Sequence, residues 1–93
     1  MKSINVGIVG VGRIGKLHIN NLMQIPSVNI VAITDPFMDV DWASSRELKI
    51  VPNAQAIFSD PKIDAVFILS PSTLHAEQII QAAKAGKHIF CEK

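Results

Sequence analysis

The residues best placed for chemistry form a glycine motif, Gly10-x-Gly12-x-x-Gly15, close to the start of the chain. The first glycine allows a sharp turn out of a strand, the second leaves room for a phosphate group, and the third lets a helix pack closely. A helix that starts here presents amide groups and its positive dipole end to that phosphate. Arg13 and Ile14 would supply such amides, so the motif predicts a pyrophosphate site.

An acidic residue follows the motif at the spacing that a dinucleotide site requires. Asp35 lies twenty residues beyond Gly15, at the end of the apolar run Val28–Thr34. A carboxylate there accepts hydrogen bonds from ribose hydroxyl groups and repels a 2′-phosphate, which favours NAD over NADP. The strand, the glycines, the helix, the second strand and the acid follow one another in the order and at the spacing of a dinucleotide site, so we expect NAD binding. We expect Asp35→Ala to weaken this binding with little effect on folding.

Two simpler interpretations stay open at this stage. The motif could be a glycine-rich turn of another α/β protein, and Asp35 could only cap a turn, because Asp-Pro is a common turn dipeptide. A methyltransferase, which also uses a glycine loop and an acid after the second strand, is a further alternative.

The order of the predicted elements indicates an α/β fold. Strand-like apolar runs alternate with helical patterns, which predicts parallel strands and right-handed crossovers. We expect a Rossmann-like doubly wound parallel sheet of about five strands in the order 3-2-1-4-5, with the ligand at the carboxyl ends of strands one and four. The strands are expected near Ile4–Val9, Val28–Thr34, Lys49–Val51, Ile63–Leu69 and Lys87–Cys91, and the helices near 13–25, 39–48, 54–58 and 74–85.

Turn and cap residues refine these limits. We expect Asp39 or Asp41 to cap the second helix, Asn53 the third and Ser72 or Thr73 the fourth, because their side chains can accept from free helical amides. Gly86 fits the position just past a helix end. If Ser72 is the cap, His75 faces the cofactor crevice; by position, Ser70 and Pro71 should line the adenine and pyrophosphate side.

Composition narrows the class of protein. The 93 residues suffice for one small domain, and the net charge of +1 gives no reason to expect a nucleic acid or a membrane as partner. The single cysteine, Cys91, is interpreted as a small buried hydrophobe and excludes an internal disulfide. The first residues have no signal-peptide core, and no His, Cys, Asp and Glu cluster has metal-ligand spacing. We therefore expect a cytoplasmic protein without a metal.

Four stretches together resemble one family. They are residues 10–18, 63–66, 70–77 and 85–93, and the last, with Glu92-Lys93 at the end of the fifth strand, is the most specific. The chain resembles the glucose–fructose oxidoreductase, inositol dehydrogenase and MocA family of NAD(P)-dependent oxidoreductases, and within it inositol 2-dehydrogenases most. The resemblance is weakest between Phe37 and Phe58.

The resemblance implies roles for three further residues. Lys93 matches a catalytic lysine beside the nicotinamide and substrate, Glu92 a cofactor-side carboxylate, and His75 a position near the nicotinamide end. The alternatives are a solvated terminal lysine, a strand-end charge, and a partly buried histidine that bonds a backbone group.

The resemblance also implies a larger architecture. Residues 1–93 would be an NAD(P)-binding Rossmann domain, an N-terminal fragment whose substrate domain, with its aspartate–histidine base, is absent. The expected function is the cofactor-binding portion of an NAD-dependent sugar or polyol dehydrogenase, inactive alone. A non-catalytic nucleotide-binding or redox-sensing module is the alternative. We expect strand five to lie at an edge of the sheet, where its unpaired N–H and C=O groups can pair with another copy, and we therefore expect a homo-oligomer.

Overall fold

The computed structural model describes residues 3–91 and shows a parallel β-sheet with helices on both faces. Apolar runs rich in β-branched residues form the strands, because such side chains pack well on a pleated surface covered on both sides. In chain order the elements are β1 (Ile4–Val9), α1 (Arg13–Leu22), β2 (Val28–Thr34), α2 (Val40–Ser45), α3 (Ala54–Phe58), β3 (Ala65–Ile68), α4 (Ser72–Lys84) and β4 (His88–Cys91).

The order of the strands is the predicted one, but the described residues form four strands and not five. The sheet runs β2-β1-β3-β4, with every pair parallel. The expected third strand is reduced to a single bridge, in which the Ile33 amide donates to Lys49 and the Val51 amide donates to Ile33, both at 2.9 Å. The strand stops there because the next residue, Pro52, has no N–H to continue the ladder.

The apolar core lies in two layers, one on each face of the sheet. Alternating side chains of β1 divide between them: Val9 packs with α3 and α4, whereas Val6 and Ile8 pack with α1 and α2. Gly7 lets α3 approach β1, because a Cβ there would lie 3.1 Å from the Ile63 side chain and closer still to Ile57. Both faces of the sheet are therefore covered, as a parallel sheet requires.

Local caps decide several helix boundaries. The side chains of Asp39 and Asn53 accept from Trp42 and Ala56 amides, so both predicted caps are confirmed. Gly86 follows α4 with φ +77°, also as predicted.

Several predicted helix boundaries were wrong, and α2 ends at Ser45 and not at Leu48. α4 begins at Ser72 with Pro71 as its N-cap and no side-chain cap, so neither Ser72 nor Thr73 has the capping role. α1 ends at Leu22 and not Ile25, because the chain tightens into turns closed by i→i−3 bonds, such as the Ile25 amide to Leu22 at 3.0 Å.

The outer strand β4 corrects one further expectation. Cys91 is exposed and not buried, because β4 lies at the end of the sheet among residues 3–91 and only its Ile89 side chain packs against the core. In this same part of the chain, no helix combines the length and apolarity needed to cross a bilayer.

Candidate functional site: a cleft at the carboxyl edge of the sheet

A cleft of about 790 Å³ opens where β1, β2 and β3 end. The loops that follow these strands form its walls, at the crevice predicted from the strand order, because parallel strands bring their carboxyl ends to one edge. The lining residues include every glycine of the motif and the acid after β2: Val9, Gly10, Val11, Gly12, Arg13, Ile14, Gly15, Thr34, Asp35, Pro36, Phe37, Pro52, Asn53, Ala54, Leu69, Ser70, Pro71, Ser72, Leu74 and Gln78.

Gly10 makes the turn out of β1 and is pressed against the end of β3. Its φ is +99°, and a Cβ there would lie 2.6 Å from the Leu69 carbonyl carbon. Gly15, in the first turn of α1, faces Gly10 so closely that a Cβ would collide with the Gly10 carbonyl group. These two glycines are required by the packing of the loop itself.

Gly12 differs from both, because no contact among residues 3–91 explains the absence of a side chain there. Its φ of −82° is open to any residue, it is exposed, and a Cβ would meet no atom within 4 Å. The open side of Gly12 is part of the cleft wall. A phosphate group that approaches the main chain at this point would use the space that a Cβ would fill.

The start of α1 offers hydrogen-bond donors beside Gly12. The first intrahelical bond runs from the Lys16 amide to the Gly12 carbonyl at 2.9 Å, so the amides of Arg13, Ile14 and Gly15 precede it. The helix has no side-chain cap at Gly12 and no acid in its first turn. No side chain of α1 itself neutralises the positive end of the helix dipole, which suits an anionic ligand.

Asp35 joins the glycine loop to the turn after β2. Its half-buried carboxylate accepts from the Val11 amide through Oδ2 and from the Phe37 amide through Oδ1, both at 2.7 Å. The turn-capping role considered from the sequence is therefore real. A carboxylate has about four acceptor positions, so both oxygens can still accept from ribose hydroxyl groups. Asp35→Ala is therefore expected to lower stability, and not to leave folding nearly intact as the sequence suggested, because two amides would lose their acceptor.

An ion pair links α1 to the N-cap of α2. Lys16 Nζ lies 2.9 Å from Asp39 Oδ2, and both side chains are partly exposed. The hydrogen bond from Lys16, followed by that from the Trp42 amide, lowers the pKa of the Asp39 carboxyl group. A depressed pKa contributes stability at pH values above the ordinary carboxyl range, and this contribution is lost as the pH falls through the lowered pKa.

Two residues after β3 line the cleft, whereas the histidine predicted beside them does not. Ser70 and Pro71 are in the wall, and the Ser70 hydroxyl group contacts the side-chain oxygen of Gln78. His75 was expected to face the crevice if Ser72 capped the helix, and that condition is not met. Its Nε2 contacts the Ser70 carbonyl oxygen and its Nδ1 lies 3.2 Å from Cys91 Sγ, so it bonds a backbone group.

The two residues assigned from the family motif at the end of the chain, Glu92 and Lys93, lie outside the described residues. Their roles stay predictions. Sequence reasoning also missed part of the cleft wall: Phe37, Asn53 and Gln78 line it. Asn53 could have been found, because it follows the predicted third strand and so belongs to the same carboxyl edge.

A glycine loop between β1 and α1, with an acid at the end of β2, defines a dinucleotide-binding Rossmann domain. Residues 4–93 match the sequence profile of the Gfo/Idh/MocA oxidoreductase family, described as having an NAD-binding Rossmann fold. The chain belongs to this family. The predicted fold, family and cofactor are confirmed.

Known relatives agree with this assignment. The chain is 47% identical to an uncharacterised oxidoreductase, YrbE, of Bacillus subtilis, in a comparison that covers 99% of the chain. It is 37% identical to the myo-inositol 2-dehydrogenase of Thermotoga maritima, in a comparison that covers 97% of the chain. Among solved structures, it is 40% identical to the scyllo-inositol dehydrogenase of Lactobacillus casei with bound NAD(H) and scyllo-inositol, with a TM-score of 0.86 over 99% of the chain. In each comparison the chain spans about 28% of the relative's length.

Proposed function

We propose that this chain is the cofactor-binding portion of an NAD-dependent dehydrogenase that acts on a secondary alcohol of a sugar or polyol of the inositol type. The observation that carries the cofactor part is Gly12, a glycine that the fold does not need, next to the amides of an uncapped helix. The substrate class is supported by two similar proteins that are inositol dehydrogenases. In that role NAD, when bound, would accept the hydride.

The described residues bind and orient the cofactor in this proposal. The amides of Arg13, Ile14 and Gly15 would hold the pyrophosphate, and the Asp35 carboxylate would hold the ribose of the adenosine half. Ser70 and Pro71 would form the wall beside them, and Glu92 and Lys93 would act at the nicotinamide end. We also propose that residues 1–93 belong to a single cofactor domain, that the substrate site lies in another part of the whole protein, and that this protein is cytoplasmic.

Calorimetric titration with NADH, NADPH and S-adenosylmethionine tests whether this chain binds the cofactor by itself and with what preference. We expect saturable binding of NADH, weaker binding of NADPH and none of S-adenosylmethionine. Preferential binding of S-adenosylmethionine would contradict the proposal and would favour a methyltransferase.

Replacing Asp35 should alter both cofactor choice and stability. We expect Asp35→Ala to weaken NADH binding, to narrow the preference over NADPH, and to lower the free energy of unfolding by about 1–3 kcal/mol, because two amides lose an acceptor. Asp35→Asn is the comparison variant, since it removes the charge that repels a 2′-phosphate and keeps one acceptor oxygen, while its NH2 group cannot accept from the second amide. Isothermal calorimetry and urea unfolding measure the two effects. NADPH binding as tight as NADH binding to the unmodified chain would disprove the role of Asp35.

We further propose that the chain self-associates through β4. This strand ends the sheet in the part of the chain that the structure describes, contains no Asp, Glu, Lys or Arg, and leaves Phe90 44% exposed. Its outer N–H and C=O groups can pair with a strand of another copy, and a symmetric antiparallel pair is the simplest arrangement.

Lysine substitutions at the two ends of the sheet test this contact. Phe90→Lys should shift the protein toward monomer in light scattering, whereas Ile50→Lys, an exposed position beside β2, should not. The centre of the Phe90 ring also lies 4.9 Å from the centre of the Phe67 ring in its own chain, so Phe90→Lys could lower stability as well. Thermal unfolding of each variant is therefore measured to separate a loss of stability from a loss of self-association. An unmodified chain that stays monomeric at high concentration would contradict this proposal.

A further inference from the structure

Phe37 is the most exposed large apolar side chain among the described residues. It is 92% exposed, whereas the other exposed ones range from 38% to 57%. Leaving a phenylalanine in water forgoes the stabilisation that burial would give. Nothing in the packing of residues 3–91 uses this ring, although it lines the cleft.

The backbone nevertheless holds Phe37 in a defined place. Its amide donates to Asp35 Oδ1 at 2.7 Å, and Pro36 restricts the preceding backbone dihedral. The ring is therefore presented at the cleft by a turn that the Asp35 carboxylate closes. The same cleft contains further apolar side chains that could contact a flat ligand: Pro52, Ala54, Leu69, Pro71 and Leu74.

The chemistry of a dinucleotide determines which of its parts reaches Phe37. If the pyrophosphate lies at Gly12 and the adenosine ribose at Asp35, the base is attached to the ribose carbon next to the one that bears the 2′-hydroxyl group. The base therefore lies on the side of Asp35 away from the phosphates. Aromatic side chains stack on nucleobases in a way that depends on the flat π-face and not on hydrogen bonds.

We propose that Phe37 stacks on the adenine base of the bound cofactor and is the main apolar determinant of affinity for the adenosine half. This inference rests on the proposed function, since it assumes a dinucleotide in the cleft. The Asp35 carboxylate then has two tasks: it receives the ribose hydroxyl groups and, through the Phe37 amide, positions the residue that covers the base.

The test compares two halves of the cofactor in calorimetric titrations. Phe37→Ala should weaken binding of NADH and of AMP about tenfold and leave nicotinamide mononucleotide unaffected. Phe37→Tyr should keep the native affinity because it keeps the ring, whereas Phe37→Leu should lose most of it. Ile80→Ala is the matched control, because Ile80 is 55% exposed on α4 and does not line the cleft. All four variants should melt at the temperature of the unmodified chain.

The possible failures can be told apart. If the unmodified chain binds NADH and Phe37→Ala binds NADH and AMP equally well, this inference is overturned and the proposed function stands. A selective loss of nicotinamide mononucleotide binding would place the other ring at Phe37 and also overturn the inference. A change in oligomeric state without a change in AMP affinity would assign Phe37 to a protein contact instead. An unmodified chain that binds neither NADH nor AMP would overturn the proposed function and this inference with it.

Discussion

Gly10→Ala is expected to abolish stable folding, or to lower the free energy of unfolding by about 3–5 kcal/mol. The φ of +99° costs a residue with a Cβ about 1–2 kcal/mol by itself. The larger part of the loss comes from the contact with Leu69, whose carbonyl carbon and oxygen would lie 2.6 and 2.8 Å from the new methyl group. Backbone atoms cannot turn aside as a side chain can, so the glycine loop and the end of β3 would have to separate.

Gly86→Ala is the control that isolates this clash. Gly86 also has a positive φ, +77°, but a Cβ there would meet no atom within 4 Å. Its substitution should therefore cost only the conformational strain, about 1 kcal/mol. Urea unfolding followed by circular dichroism measures both variants. Equal losses for the two would show that the backbone dihedral alone, and not the packing of the loop on β3, accounts for Gly10.

Gly12→Val is expected to reduce NADH affinity by about 100-fold, or about 2.8 kcal/mol, with a change in stability below about 1 kcal/mol. The position is open for the first carbon of a side chain, because a Cβ at Gly12 meets no atom of the described residues within 4 Å. The valine would instead occupy the space through which a pyrophosphate reaches the amides of Arg13 and Ile14. The result would be a folded chain that has lost its ligand.

Two measurements make this prediction specific. Thermal unfolding without ligand should be almost unchanged in Gly12→Val, in contrast to Gly10→Ala. Adenosine, which has no phosphate, should bind Gly12→Val as it binds the unmodified chain. An NADH affinity that survives the substitution would show that the pyrophosphate does not lie against Gly12, and the proposed orientation of the cofactor would have to be abandoned.

The sequence alone was informative about features that depend on local chemistry. The side-chain caps at Asp39 and Asn53 act within a few residues, and the glycines and the acid after the second apolar run follow the spacing of a known type of site, so residue types and spacing suffice to predict them. The strand order followed from a general rule of chain handedness and not from any single residue. For the same reason the place of the cleft, at the ends of β1 and β3, was predictable.

Tertiary structure decided the features that depend on distant partners. Cys91 was predicted buried from its residue type, but its exposure depends on whether anything lies beside β4. The run Lys49–Val51 has the composition of a strand, yet it makes one bridge to Ile33. The exposure of Cys91 does not follow from its residue type, because burial depends on a second surface. The shortness of the third strand follows in part from Pro52, which ends the run, and in part from the absence of further pairing among the described residues.

Asp35 shows most clearly which information came from the sequence and which came from the tertiary structure. The sequence identified Asp35 as an acid at the correct distance from the glycine motif, and it posed ribose binding and turn capping as alternatives. The structure shows the carboxylate holding the Val11 and Phe37 amides at once, which makes the turn-capping role a fact and leaves room for the ribose. A carboxylate has enough acceptor positions for both tasks, and only the folded chain brings Val11, twenty-four residues away, within 2.7 Å of it.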